Sequence, residues 1–78
     1  MPAQELIEQG ERRRDEIEQF IADYVGENGY SPTIAEIGKA VGVSSPNAVR
    51  NHLTKMEESG RIKTTPRIAR SIVLTPDE

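Results

Sequence analysis

One face of the segment 45–59 carries four polar side chains: Asn47, Arg50, Asn51 and Thr54. At helical spacing they lie opposite the apolar stripe of Val49, Leu53 and Met56. Each polar type can recognise a base edge in a DNA major groove: arginine forks onto guanine, asparagine onto adenine, and threonine hydrogen-bonds or contacts a thymine methyl. Because a solvated helix surface is also polar, this interpretation depends on the flanking elements.

The segment 45–59 has clear signals for the start of a helix. Ser45 suits the N-cap, and Pro46 suits the first helical position, where a missing N–H costs nothing. A shorter helix precedes it, beginning at Thr33 in a capping box with Glu36 and ending at Gly42, which can adopt the left-handed conformation. Two short helices joined by a tight turn predict a helix-turn-helix, whose second helix enters a DNA major groove.

An amphipathic pattern upstream predicts a support helix from Glu11 to the cap at Gly29. Its apolar positions are spaced i, i+3, i+4, i+7 and i+8, which is typical of a helix that covers a core, and they are Ile17, Phe20, Ile21, Tyr24 and Val25. Tyr30 is expected to pack its ring on this helix. The residues before Gly10 could extend the helix, pack on the core or be disordered.

Two groups of basic side chains accompany these helices. Arg12, Arg13 and Arg14 alternate with acidic residues, which favours a solvated face with i, i+4 pairs, while phosphate contact stays open as the alternative. His52 is the only histidine. We interpret it as a half-buried packing or phosphate-contacting group, since no other metal ligands accompany it.

Beyond Gly60, which ends the second helix of the pair, two β-branched runs predict an antiparallel hairpin over 61–74. Ile62, Ile72 and Leu74 are expected to close the core. Three helices and a basic two-stranded hairpin make a winged helix-turn-helix, a mainly α fold in which the hairpin is the wing. The residues predicted to contact the DNA backbone are Ser44, Ser45, Lys55, Lys63, Arg67 and Arg70.

Length and composition limit what else the chain can do. Its 78 residues leave room for one domain, expected at 11–75 with an extension at 1–10 and a tail at 76–78. No cysteine, signal peptide or long apolar run is present, and no nucleophile–base pair, metal-ligand cluster or phosphate loop occurs. We therefore expect a cytoplasmic protein that is not an enzyme and that binds no cofactor, metal, small molecule or membrane.

The net charge of −3 is unevenly distributed along the chain. Residues 1–38 carry nine acids and three bases, whereas residues 39–78 carry four acids and seven bases. Residues 39–74 alone have a net charge of +5. Because a phosphate backbone responds to the face that it meets, the basic second part suits DNA despite the negative total.

Several runs of residues resemble the DNA-binding domain of LexA repressors. The similarity covers residues 13–74 and includes the run 29–38, the Ser45-Pro46-Asn47 entry to the second helix, and the wing. It implies a repressor of DNA-damage-response genes that binds its operators as a dimer. By position, it implies operator contacts for Ser45, Asn47 and Ala48, and it places Arg50 and Asn51 where base preference is set. Some members of that family carry acidic residues at those two positions, so the operator here can differ.

The chain also departs from LexA repressors, which continue into a domain whose Ser–Lys dyad cleaves an Ala–Gly bond and supplies most of the dimer contact. No Ala-Gly pair occurs here, and 78 residues cannot hold that second domain. The chain is then either the DNA-binding part of a longer repressor or a free-standing regulator, and its Met1 start favours the second. The alternative function is a winged-helix protein-interaction module, an adaptor or anti-repressor, that docks partners through its acidic half.

Overall fold

A computed structural model describes the backbone of residues 3–65 and 68–75, and the side chains from Gly10 onward within these ranges. Its elements are α1 (Ala3–Asn28), α2 (Ile34–Val41), α3 (Pro46–Glu58), β1 (Ile62–Lys63) and β2 (Val73–Leu74). The two strands are antiparallel, with Ile62 opposite Leu74 and Lys63 opposite Val73. The predicted architecture of three helices and a two-stranded wing is confirmed. The expected tail at 76–78 lies outside the described residues.

The first helix is longer than the predicted support helix, because α1 continues without a break through Gly10 to Ala3. This glycine costs about 1 kcal/mol of helix stability relative to alanine. Its missing side chain leaves space for a neighbour: a Cβ at this position would lie 3.1 Å from Nη1 of Arg14. Among the apolar positions of α1, Ile17 and Ile21 are fully buried, whereas Val25 near the end of the helix is 38% exposed.

Among the side chains that the structure describes, eight apolar ones form the core, and they come from all three helices and the wing. They are Ile17, Ile21, Ile37, Val49, Leu53, Met56, Ile62 and Ile72. The predicted closure of the core by the hairpin is confirmed, with Leu74 packed at its edge. Because α3 contributes three of the eight, burial fixes the rotation of this helix about its axis.

The connection between α2 and α3 depends on two glycines. Gly42 has a φ of 75°, in the left-handed region, and ends α2 as predicted. Gly38 packs against the inside of the turn, where an added Cβ would lie 2.6 Å from the backbone oxygen of Val43 and 3.3 Å from Cγ2 of Val49. This close approach was not predicted from the sequence.

One cluster of ion pairs fastens the start of the wing to α1. Arg61 lies 2.7 Å from Oδ1 of Asp15 and 3.1 Å from Oε1 of Glu18. Hydrogen bonds to Glu18 and then to Asp15 raise the pKa of the Arg61 guanidinium. The charge of Arg61 is therefore balanced within the molecule, although it belongs to the basic second part of the sequence.

Within the described ranges, no helix has the length and hydropathy needed to cross a membrane.

Candidate nucleic-acid interface

The polar face of α3 consists of Asn47, Arg50, Asn51 and Thr54, and all four side chains are exposed. On the opposite side of the helix, Val49 and Met56 are buried to 1% and 0% exposure. Turning α3 about its axis would expose these core residues, so the fold holds the polar face outward. Nη1 of Arg50 donates to Oδ1 of Asn47 at 3.3 Å, which brings two predicted base-reading groups together. Their outward placement is as predicted, and base reading itself stays a prediction.

The N-terminus of α3 has the capping geometry that the sequence predicts. Oγ of Ser45 accepts a hydrogen bond from the N–H of Ala48 at 3.4 Å, and Pro46 occupies the first turn. No acidic residue lies in that turn, so its partial positive charge is not offset by the helix itself. Ser44 and Ser45 are exposed at this end, while Ala48 is half-buried on the side of the helix. This end of α3 can accept an anion.

The predicted backbone-contacting lysines lie on two different elements. Lys55 is exposed on α3, one turn beyond Asn51 and on the same side of the helix. Lys63 is exposed on β1, so it projects from the wing. Arg67 lies outside the described residues.

A groove of about 540 Å³ separates α3 from the wing. Arg50 and Thr54 line one side of it, and Ile68 and Ser71 line the other. Ser71 closes the base of the wing loop, because its Oγ accepts from the N–H of Thr65 at 3.0 Å and lies 2.8 Å from the carbonyl oxygen of Ile68. The wing is therefore the immediate neighbour of the polar face, as a winged helix-turn-helix requires.

Arg70 is placed differently from the other predicted backbone contacts. Its Nη1 lies 3.0 Å from Oε1 of Glu36 and 3.1 Å from both the hydroxyl of Tyr24 and the carbonyl of Ser31. The guanidinium also stacks 4.8 Å from the centre of the Tyr30 ring. Because these partners lie on α1, on α2 and on the link between them, Arg70 holds the wing against the helices. Sequence reasoning missed this role.

Glu36 is the centre of that cluster. Its carboxylate accepts from the backbone N–H of Thr33 at 2.8 Å and from the hydroxyl of Tyr24 at 2.9 Å, besides pairing with Arg70. These interactions, with the Thr33 N–H contributing most, lower the pKa of Glu36 to about 2. The predicted capping box is confirmed, since the Glu36 N–H also donates to Oγ1 of Thr33 at 3.2 Å. Tyr30 packs edge-on against Tyr24 of α1 with 5.8 Å between ring centres, as predicted.

The low pKa of Glu36 predicts a specific acid sensitivity. A carboxylate with a depressed pKa in the folded state stabilises that state above its unfolded pKa and loses the effect as the pH falls. Glu36→Gln should therefore unfold at a lower temperature than the wild type near neutral pH, and the difference should shrink between pH 4.5 and about 2. Thermal melts over this range measure it, with Glu27→Gln on exposed α1 surface as the charge-matched control. A constant difference across the range would contradict the prediction.

In the part of the chain that the structure describes, no three histidine, aspartate or glutamate side chains lie close enough together to form a metal site.

The other features agree with one another: a helix-turn-helix whose second helix has a fixed rotation, an exposed polar face on that helix, and a wing beside that face. Together they define a winged helix-turn-helix of the DNA-binding class.

Comparison with known proteins identifies the family. The family model described as the LexA DNA-binding domain matches residues 8–71, so the chain belongs to that family. The LexA repressor of Ligilactobacillus salivarius (strain UCC118) is 43% identical over 65 residues, which are 83% of this chain and 32% of that protein. That of Enterococcus faecalis (strain ATCC 700802 / V583) is 42% identical over 72 residues, 92% of this chain and 34% of that protein.

A third relative, the LexA repressor of Staphylococcus aureus (strain USA300), is 39% identical over 67 residues, 86% of this chain and 32% of that protein. The chain thus spans about a third of the length of the curated relatives that it matches. The resemblance stated from the sequence is confirmed, and with it the prediction of a DNA-binding domain. Neither comparison favours the protein-interaction module.

Proposed function

We propose that this chain docks on duplex DNA with α3 in the major groove and the wing on the adjacent backbone, and that it represses transcription at the sites it binds. This docking rests on the polar face of α3, which must stay exposed because the opposite face of the helix is buried in the core. The name of the relatives, LexA repressor, supports the repressor role. The regulated genes would be those of the DNA-damage response, as the resemblance implies.

Each contact has a distinct role in this docking. Base edges are read by Asn47, Ala48, Arg50, Asn51 and Thr54, with Ala48 contributing its methyl group. Ser44 and Ser45 hold a phosphate at the N-terminus of α3, while Lys55, Lys63 and the wing-loop Arg67 neutralise neighbouring phosphates. Arg70 contacts the backbone as well, and its interactions with Tyr24, Ser31 and Glu36 help to position the wing.

The chain acts by binding rather than by catalysis, in the cytoplasm, through the domain at 11–75, which an N-terminal extension at 1–10 precedes and a tail at 76–78 follows. One such module buries roughly 600–1,000 Å² on DNA, which gives modest affinity. We therefore propose that two copies bind a palindromic operator, one half-site each.

Selection of bound sequences from a random duplex pool tests this function. The wild type should enrich one consensus, and a two-fold palindrome would report two docked copies. A variant with Asn47, Arg50 and Asn51 changed to alanine should lose the consensus while retaining salt-sensitive binding to random DNA, since its phosphate contacts remain. If the wild type enriches nothing and shows no salt-dependent binding, DNA docking is wrong and the interaction-module alternative gains support. A single half-site would overturn only the dimer.

A further inference from the structure

A second group of basic side chains lies on the flank of α3 that faces away from the wing. His52 follows Arg50 by two positions, so it projects about 200° round the helix from the groove that Arg50 lines. There α1 approaches α3, and Nη1 of Arg14 lies 3.4 Å from Nδ1 of His52. Arg13 and Lys55 are near enough to act electrostatically on the same imidazole. None of these groups has a role in the docking described so far except Lys55.

The two arginines of this flank have different surroundings. Arg13 forms an ion pair with Glu16 at 3.3 Å and donates to the carbonyl of Val41 at the end of α2, so it is used in holding the helices together. Arg14 is half-buried, and none of the side chains described at 10–65 and 68–75 forms an ion pair with it. The absent side chain of Gly10 lets its guanidinium lie close to the helix. Arg14 is therefore not positioned by the i, i+4 ion pairs that were expected for a solvated helix face.

The cations on this flank disfavour a positive charge on His52. Burial, followed by the charges of Arg14, Arg13 and Lys55, lowers the pKa of His52, which favours the neutral imidazole beside the Arg14 guanidinium. An anion placed here is attracted by the positive charges of Arg14, Arg13 and Lys55, and Arg14 and His52 can both donate hydrogen bonds to it. A phosphate, with three acceptor oxygens, suits an arginine fork and a ring N–H together.

We propose that Arg14 and His52 form a second phosphate site, which binds the DNA strand on the side of the major groove opposite the wing. The inference rests on the proposed function, because it assumes α3 lies in that groove. The major groove is about 12 Å wide and a helix with its side chains is about 10–12 Å across, so both strands lie against the flanks of an inserted helix. The wing meets one strand, and the α1 flank meets the other.

Arg14→Gln tests the site, with Arg12→Gln as the matched control. Both variants remove one positive charge from the same helix, but Arg12 is exposed and lies well round α1 from Arg14. Affinity for a random-sequence duplex is measured between about 50 and about 200 mM salt. Arg14→Gln should lower the slope of log affinity against log salt by about 1 and weaken binding several-fold, while Arg12→Gln should keep the wild-type slope. Arg14→Lys, which keeps the charge, should also keep the slope.

The wing provides a second readout. Lys63→Gln should lower the slope by about 1, and the double variant Arg14→Gln/Lys63→Gln by about 2, because the two side chains meet phosphates on different strands. The second site would be overturned if wild type and Arg14→Gln had equal slopes, or if Arg12→Gln lowered the slope as much as Arg14→Gln. Either result would leave the proposed function intact. Failure of the wild type to bind any duplex would instead overturn the proposed function.

Discussion

Gly38→Ala is expected to destabilise the fold by about 1–3 kcal/mol, the usual cost of forcing an extra methyl group into a packed position. The added Cβ would lie 2.6 Å from the backbone oxygen of Val43 and 3.3 Å from Cγ2 of Val49. The turn cannot easily retreat, because the N–H of Val43 donates to the carbonyl of Gly38 at 2.9 Å. Thermal unfolding measures the effect, at about 4–8 °C per kcal/mol for a domain of this size.

Gly26→Ala is the matched control for this prediction. Gly26 also lies inside a helix, but an added Cβ there meets no described atom within 4 Å. Helix propensity alone should then make the alanine variant more stable by about 0.5–1 kcal/mol. A loss of stability in Gly38→Ala together with a gain in Gly26→Ala would separate the effect of packing from that of helix propensity. A Gly38→Ala variant as stable as the wild type would contradict the close approach of α2 to the turn.

The same substitution should weaken specific DNA binding even below the unfolding transition. To accommodate the methyl group, the turn at Val43 must move, and α3 begins three residues later. A shift of α3 against α2 would misplace the polar face relative to the wing, since both are positioned by one shared core. Affinity for the selected site should therefore fall more than affinity for random duplex.

Arg50→Ala is expected to cost about 1–3 kcal/mol of binding free energy at one base pair of the selected site and to relax the preference there. The guanidinium is exposed, and its hydrogen bond to Asn47 uses only one of its five N–H donors, so the others can bind a guanine. Competition binding against duplexes that each change one base pair of the site measures the effect. Unchanged preference at every position would mean that α3 does not read bases through Arg50.

Arg61→Ala is the control for that experiment. It removes the same type of side chain, but the Arg61 guanidinium is held by Asp15 and Glu18 between α1 and the wing. The variant should lower stability and leave the base preference of the selected site as it is. A changed preference in Arg61→Ala would show that wing position, rather than contact by Arg50, determines specificity.

Much of the helix-turn-helix was predictable because its signals are local. Each of these signals involves residues no more than three or four positions apart: the capping box of Thr33 and Glu36, the left-handed Gly42, and the Ser45 cap with Pro46. The rotation of α3 followed from its periodicity, which separates the polar face from the buried stripe. The length of α1 did not follow, because Gly10 weakens a helix without ending it and the local signal was ambiguous.

The sequence alone thus determined the elements, their order, the outward face of α3 and the family, since all of these depend on neighbours along the chain. Tertiary structure decided which basic groups pair with carboxylates of the chain itself. Arg61 and Arg70 form ion pairs with carboxylates on α1 and α2, whereas Arg14 lies beside His52 of α3. Each of these pairings joins residues far apart in the chain, and only packing of the shared core brings such groups within a few ångströms of one another.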